Sequence, residues 1–108
     1  MVAKRAKKII SIYKKSLEQR IKIDKLILFG SWAQGKQTKE SDFDLLVISS
    51  DFKKFSDKKR FSLLWDARIH PLTRQVDMDI FGLTPQEFAK ASPLTTLGEI
   101  KETGMTIG

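Results

Sequence analysis

The stretch Leu26–Leu46, LILFGSWAQGKQTKESDFDLL, sets the tightest limit on what this chain can fold into. Its first four residues, Leu26 to Phe29, are apolar without alternation, the pattern of a strand covered on both faces. The run stops at Gly30-Ser31. Ten residues later Asp42 and Asp44 stand one residue apart and open a second apolar run, Leu45 to Ile48. Carboxylates at spacing two on a strand point to the same face of a sheet. A Gly-Ser turn at the end of a buried strand leaves backbone N–H groups unused, and such groups attract anionic oxygens. The stretch therefore predicts two strands, an anion cradle and a carboxylate pair.

The flanking residues supply the rest of a domain. Residues 3 to 20 predict a helix in which Ala6, Ile9, Ile10, Tyr13 and Leu17 form a single apolar stripe. Asp24 to Phe29 is the first strand, Ser31 to Gly35 a short helical turn, and Phe43 to Ser49 the second strand. Asp51 to Asp57 reads as a loop that tucks Phe52 and Phe55 against the core edge. A second long helix runs from Ser56 to Ile69, with Trp65 and its apolar neighbours expected in the core. His70-Pro71 ends it, because the residue before a proline resists the helical conformation. His70, the only histidine, reads as a capping or surface residue. Gln75 to Phe81 alternates, with Val76, Met78 and Ile80 opposite Asp77 and Asp79, as a half-buried strand does. Thr84-Pro85-Gln86-Glu87 is a capping box with proline at the first helical position. Ser92-Pro93 starts a last helix closed by Gly104, and Met105 to Ile107 reads as a short edge strand.

This order predicts an α/β (α+β) fold: a mixed central sheet of three to four strands with helices on one face. Phe43, Leu45, Val47, Val76, Met78 and Ile80 would face the helices. Asp42, Asp44, Asp77 and Asp79 would lie on the opposite, open face. Leu46 and Ile48 share that face, so part of it needs cover from loops or from a partner.

At 108 residues one domain, spanning 1–108, is expected. The absence of cysteine excludes a disulfide framework and a thiolate metal site. Apolar runs of about four residues fall far short of the roughly 20 needed to cross a membrane. The basic start, MVAKRAKKII, lacks the apolar core of a signal segment, so a cytoplasmic location is expected. The net charge is +7, and nine Lys or Arg fall within residues 1 to 25. That basic face reads equally as a solvated helix surface and as an attractor of nucleic acid or an acidic partner. Binding of nucleic acid there is the weaker reading.

Carboxylates and a glycine turn suit one kind of chemistry. Nucleotidyl transfer asks the protein to hold a triphosphate, neutralise its charge and place the attacking oxygen in line. Magnesium needs only one or two carboxylates plus phosphate oxygens. Asp42 and Asp44 supply such a pair, and Asp77 or Asp79 from the neighbouring strand supplies a third carboxylate for a second metal and the acceptor hydroxyl. Gly30 lets the backbone approach the phosphates, and Ser31 can bind a phosphate oxygen. Each motif alone is ordinary: a strand-to-helix turn, or acids on a solvent-facing edge. A rival motif, Gly30 to Lys36 as a P-loop, fails at Gln37, where Ser or Thr is required for magnesium.

Gly30-Ser31, ten intervening residues, then Asp42-Phe43-Asp44 resembles the GSx10DxD signature of the DNA polymerase β-like nucleotidyltransferase superfamily. The short chain looks like its minimal nucleotidyltransferase branch. Ala33, Gly35 and Ser41 fit the same signature, and Val76 to Phe88 (VDMDIFGLTPQEF) is similar to that branch's third-carboxylate strand. The resemblance implies a polymerase β palm-like sheet, Mg2+ (two ions), an NTP donor, usually ATP, and transfer of a nucleoside monophosphate to a hydroxyl of a protein or small acceptor. It implies Asp42, Asp44 and Asp77 as metal ligands, with Asp79 the alternative third carboxylate, and Gly30, Ser31 and Lys36 on the phosphates. Trp32 departs from the arginine many relatives carry there; Lys36 or Lys39 can supply that cation. Minimal members often pair with HEPN-domain proteins in toxin–antitoxin systems. The resemblance therefore also implies a HEPN partner, with a homodimer or hetero-complex closing the cleft. The alternative is a non-catalytic antitoxin or regulatory subunit on the same fold.

Overall fold

A computed structural model describes residues 4–30, 43–90 and 104–107. The expected turn at 31–35, the residues Ser31, Trp32, Lys36, Lys39 and Asp42, and most of the last helix lie outside the described residues.

Helix α1 (Lys4–Glu18) forms where the apolar stripe predicts it. Ala6, Ile10, Tyr13 and Leu17 are fully buried and Ile9 nearly so, while Lys7, Lys8 and Lys15 between them face solvent. Tyr13 carries its hydroxyl into the core and donates it to the Leu64 carbonyl at 2.7 Å. A buried phenol needs such a partner.

Strands β1 (Lys25–Phe29) and β2 (Phe43–Ile48) pair antiparallel, with Lys25 opposite Ile48 and Phe29 opposite Asp44. After β2, a single tight turn (Ser50–Lys54) buries Phe52 completely. Helix α2 (Asp57–Asp66) follows, capped by the Ser56 side chain. After four intervening residues α3 (Pro71–Arg74) begins, and the His70 side chain accepts from the Leu72 N–H at 3.1 Å. The capping role expected of His70 is thus met, on α3 and not on the helix before it.

The chain returns as β3 (Met78–Leu83), parallel to β2. Helix α4 (Pro85–Ala89) then starts with the full capping box of Thr84 and Glu87. Strand β4 (Met105–Thr106) adds antiparallel to β1. Among the described residues the sheet has four strands in the order β3-β2-β1-β4, a mixed sheet as expected.

The sheet divides two apolar clusters. On one face Leu26, Leu28, Phe43, Leu45, Val47 and Met78 pack with α1 and with Leu64 and Ala67. On the other, Ile27, Leu46 and Ile48 are covered by Phe29, Leu83 and Phe88. The chain's own α4, through Phe88, thus supplies cover that Leu46 and Ile48 required. The helices are therefore not confined to one face.

Two expectations change. Trp65 is not in the core: it is 56% exposed and Phe61 63%. The buried stripe of α2 runs through Arg60, Leu64 and Ala67, one position away from the stripe that periodicity in the aromatic residues suggests. The third strand starts three residues later than expected. The Val76 carbonyl is taken by the Arg68 guanidinium at 2.7 Å, which keeps Gln75–Asp77 as connection.

Candidate active site

The site is built where β1 ends and where β2 and β3 begin. Phe29, Asp44 and Asp79 are register partners across three strands, so they form one lateral row. Lateral neighbours in a sheet project from the same face. That row lies on the face away from α1, beside the smaller apolar cluster. Asp44 is half-buried and Asp79 exposed.

Gly30 follows Phe29 directly and turns the chain with φ of +74°, a backbone conformation that L side chains rarely adopt. Its missing side chain is also a spatial requirement. A Cβ at residue 30 would fall on the Asp44 carboxylate, with the Asp44 Cγ only 3.1 Å away. The glycine turn and the second carboxylate of the D-x-D pair are therefore packed against each other. The backbone of the glycine turn and the Asp44 carboxylate share one corner.

Asp77 has a different environment from Asp79. It precedes the first residue of β3, and its carbonyl accepts from the Phe43 N–H at 2.9 Å. It lines a cavity of about 500 Å³ with Trp65, Asp66, Arg68 and Arg74. The two acids, equivalent by alternation, thus face different neighbours. Asp42, Ser31 and Lys36 lie outside the described residues.

Beyond the carboxylate row an aromatic pair crosses β2. Phe29 from β1 and Phe81 from β3 approach with ring centroids 6.2 Å apart, and Phe81 is 55% exposed. The far end of β3 is held by Arg60, which donates to the carbonyls of Phe52, Phe55 and Gly82 and pairs with Glu87 at 2.7 Å. The Thr84 backbone N–H on the Glu87 carboxylate, helped by Arg60, holds that group below the usual carboxylate range. Arg68 does the corresponding work at the near end, donating to the Thr73 and Val76 carbonyls. Sequence reasoning missed both arginines as anchors. Arg60 lies in α2 and Arg68 just past its end, each beside a connection with carbonyls that lack helix or sheet partners, and that placement is the signal available.

Hard carboxylate oxygens of this kind suit magnesium better than a softer metal. Among the described residues no group of three or more His, Cys, Asp or Glu is gathered closely enough to hold an ion; the described carboxylates in one row are Asp44 and Asp79. No helix among the described residues is long and apolar enough to cross a membrane.

Comparison with known proteins agrees with this geometry. The profile of the family described as "Nucleotidyltransferase domain" matches residues 10–103. A protein of Methanocaldococcus jannaschii described as a protein adenylyltransferase is 34% identical over 86 residues, covering 80% of this chain and 85% of the relative. Among solved structures, a protein of Sulfolobus solfataricus described as a nucleotidyltransferase superposes with a TM-score of 0.60 at 19% identity, covering 95% of this chain and 76% of the other. A toxin–antitoxin structure with AMP-PNP gives 0.61 at 22% identity, covering 96% and 72%. BolA1 of Arabidopsis thaliana also superposes, at 0.56 and 20% identity over 80% of this chain and 98% of that one. Backbone likeness at these identities speaks for the fold alone. The sequence match, and the glycine–carboxylate corner that the backbone builds, assign the chain: it belongs to the nucleotidyltransferase domain family and is a nucleotidyltransferase.

Proposed function

We propose that this protein transfers AMP from ATP to a hydroxyl of a protein acceptor, with magnesium held by Asp42, Asp44 and Asp79. The observation that carries the proposal is the contact of Asp44 with Gly30, in one lateral row with Asp79. Gly30 and Ser31 offer backbone N–H groups to the phosphates, and Lys36 adds a cation. Magnesium, when bound, neutralises charge on the triphosphate and lowers the pKa of the attacking hydroxyl. Asp79 accepts the proton of that hydroxyl. The acceptor oxygen forms a bond to the α-phosphorus, the bond from that phosphorus to the β-phosphate bridge breaks, and pyrophosphate leaves. Placement of Asp79, not Asp77, as the third carboxylate is supported by its register with Asp44 and by the separate cavity that Asp77 lines.

The relative described as a protein adenylyltransferase supports AMP and a protein acceptor. The toxin–antitoxin neighbour with AMP-PNP supports a protein partner and an adenine nucleotide, consistent with a HEPN-type partner or a second copy closing the cleft. The test uses α-labelled ATP with and without magnesium, the chain itself and its neighbouring-gene product as acceptors. Transfer is expected with wild type and Asp77→Asn and lost with Asp44→Asn and Asp79→Asn. Transfer surviving Asp44→Asn would refute the site. Loss with Asp77→Asn but not Asp79→Asn would move the third carboxylate to Asp77. Neutralisation of the partner without any transfer would favour a non-catalytic antitoxin.

A further inference from the structure

Among the described strands β3 pairs with β2 alone, which leaves its other edge open. The Asp77 carbonyl accepts from the Phe43 N–H and the Leu83 carbonyl from the Ser49 N–H. The odd-numbered residues of this stretch therefore turn their backbone groups towards β2. Those of successive strand residues point to opposite sides, so Met78, Ile80 and Gly82 turn theirs away from the sheet. Arginines take the carbonyls at the two ends of that edge. Arg68 holds Val76 at 2.7 Å and Arg60 holds Gly82 at 3.3 Å. Between them, among the described residues, the outward N–H and C=O groups of Met78 and Ile80 meet no partner. The open stretch is centred on Asp79.

Backbone groups in this state are a template for another strand, and leaving them unmatched costs free energy. There is room for one. A cavity of about 330 Å³ is lined by Phe81 and Leu83 from the face that carries Asp79, and by Ile80 and Leu64 from the opposite face, so it opens around the edge itself. An added strand would extend the lateral row of Phe29, Asp44 and Asp79 by one place, with its side chain on the same face. Because Asp79 turns its own N–H and C=O to β2, an antiparallel strand meets it in a non-hydrogen-bonded pair. In such pairs the Cα atoms stand only ~4.5 Å apart and the side chains are closest. At that separation a serine or threonine hydroxyl reaches the Asp79 carboxylate. A tyrosine hydroxyl, carried at the far end of its ring, overshoots it. Phe81 follows on the same face and is 55% exposed, so an apolar residue suits the position opposite it, two places before the hydroxyl. A second copy of β3, with the sequence MDIFGL, brings no hydroxyl and in the register centred on Asp79 sets one carboxylate against the other.

We propose that the acceptor protein adds an extended segment, antiparallel, to the open edge of β3, with a serine or threonine opposite Asp79 and an apolar residue two places before it. The inference rests on the adenylyl-transfer reading and names the acceptor's side of that site. Across the sheet the row then carries phosphates at the Gly30 turn, metal at Asp44, the proton acceptor at Asp79 and the hydroxyl on the added strand. The hydroxyl proton passes to Asp79, its oxygen bonds to the α-phosphorus, and pyrophosphate leaves. Main-chain hydrogen bonds give the affinity, and the two side-chain positions give the selection.

Peptide pools of random sequence around a fixed centre of serine, threonine, tyrosine or alanine test it. With magnesium and α-labelled ATP, label should enter the serine and threonine pools at least tenfold faster than the tyrosine pool and leave the alanine pool blank. Labelled peptides should be rich in apolar residues two places before the centre. The best peptide, remade, should lose tenfold or more in transfer rate when either neighbour of its hydroxyl residue is N-methylated, since those amides face Met78 and Ile80. Methylation of the hydroxyl residue's own amide should matter little. On the protein, Ile80→Pro removes an outward N–H and keeps the ladder with β2. It should cut transfer tenfold or more at unchanged Mg·ATP affinity, whereas Ile80→Ala, which keeps the N–H, should not. If Ile80→Pro fails to fold, the N-methyl series decides alone. Indifference to N-methylation, wild-type transfer by folded Ile80→Pro, or label confined to the tyrosine pool overturns the proposal. A dimer in sedimentation that Ile80→Pro dissociates assigns the edge to a second copy and overturns it equally. Failure of the chemistry is separable, because deuterium exchange without nucleotide reads docking directly. The serine pool should slow the Met78 and Ile80 amides and leave those of Asp79 and Phe81 unchanged. Such protection with no transfer to any acceptor sinks adenylyl transfer and leaves the docking edge, whereas transfer without protection does the reverse.

Discussion

Replacing Gly30 with alanine tests the corner on which the site depends. Residue 30 has φ of +74°, where an L residue is disfavoured by roughly 1–2 kcal/mol. The added Cβ would also land on the Asp44 carboxylate. Ordinary van der Waals contact would require that carboxylate to retreat by about an ångström or more, and a misplacement of ~1 Å at a catalytic group can cost on the order of a hundredfold. Gly30→Ala should therefore lower Tm by on the order of 5–10 °C and weaken magnesium-dependent ATP binding by about tenfold or more. Differential scanning calorimetry and isothermal titration with Mg·ATP read the two effects. Gly82→Ala provides the contrast. Its Cβ would meet the Phe52 ring at 2.8 Å and Leu64 at 3.2 Å, both in the main core. It should cost about 1–3 kcal/mol by overpacking and leave ATP affinity near wild type. If Gly30→Ala keeps wild-type ATP affinity, or if both variants lose affinity in proportion to stability, the argument for a shared glycine–carboxylate corner is refuted.

Two further perturbations report on the scaffold. Tyr13→Phe leaves the Leu64 carbonyl without its donor and should cost about 1–1.5 kcal/mol at neutral pH. Burial raises the Tyr13 hydroxyl well above the ordinary tyrosine value, so its contribution is complete below about pH 10 and is lost as pH rises beyond it. The stability difference between wild type and Tyr13→Phe, from urea melts between pH 7 and 11, should shrink at the alkaline end; a constant difference would contradict the burial argument. Glu87→Gln acts in the opposite range. The Thr84 N–H, then Arg60, hold Glu87 below the usual carboxylate values, so its contribution is present above that range and lost as pH falls through the depressed value. The gap in Tm between wild type and Glu87→Gln should close in acid, and a gap that persists at pH 2 would refute the assignment.

Most of the scaffold was legible because its signals are local and period-matched. The α1 stripe, the unbroken runs of β1 and β2 and the Thr84 capping box each appear within a few residues of the predicted bounds. What could not be read depended on partners distant in sequence. Phe61 and Trp65 look like core residues by composition. Yet Arg60 wins the buried side of α2 because the carbonyls of Phe52, Phe55 and Gly82 and the Glu87 carboxylate converge on it. Likewise Asp77 and Asp79 are indistinguishable by alternation. Only the β2–β3 register, fixed by the long crossover through α2 and α3, pairs Asp79 with Asp44. The glycine of the signature could be recognised, but not the carboxylate that occupies its missing side chain.

The position of β3 at the margin of the sheet gives the site an unusual dependence. Asp44 belongs to an interior strand and Asp79 to an outer one, which among the described strands pairs with β2 alone. If the outer strand frays, the two acids part company while the interior remains folded. A ligand spanning both would act as a staple on that margin, adding stability that grows with the logarithm of its concentration over its dissociation constant. The amide of Asp79 should then exchange with solvent deuterium more slowly when Mg·ATP is bound, whereas those of Leu26 and Leu28, deep between β2 and β4, should change little. In this architecture the strength of substrate binding and the cohesion of an edge strand are a single quantity.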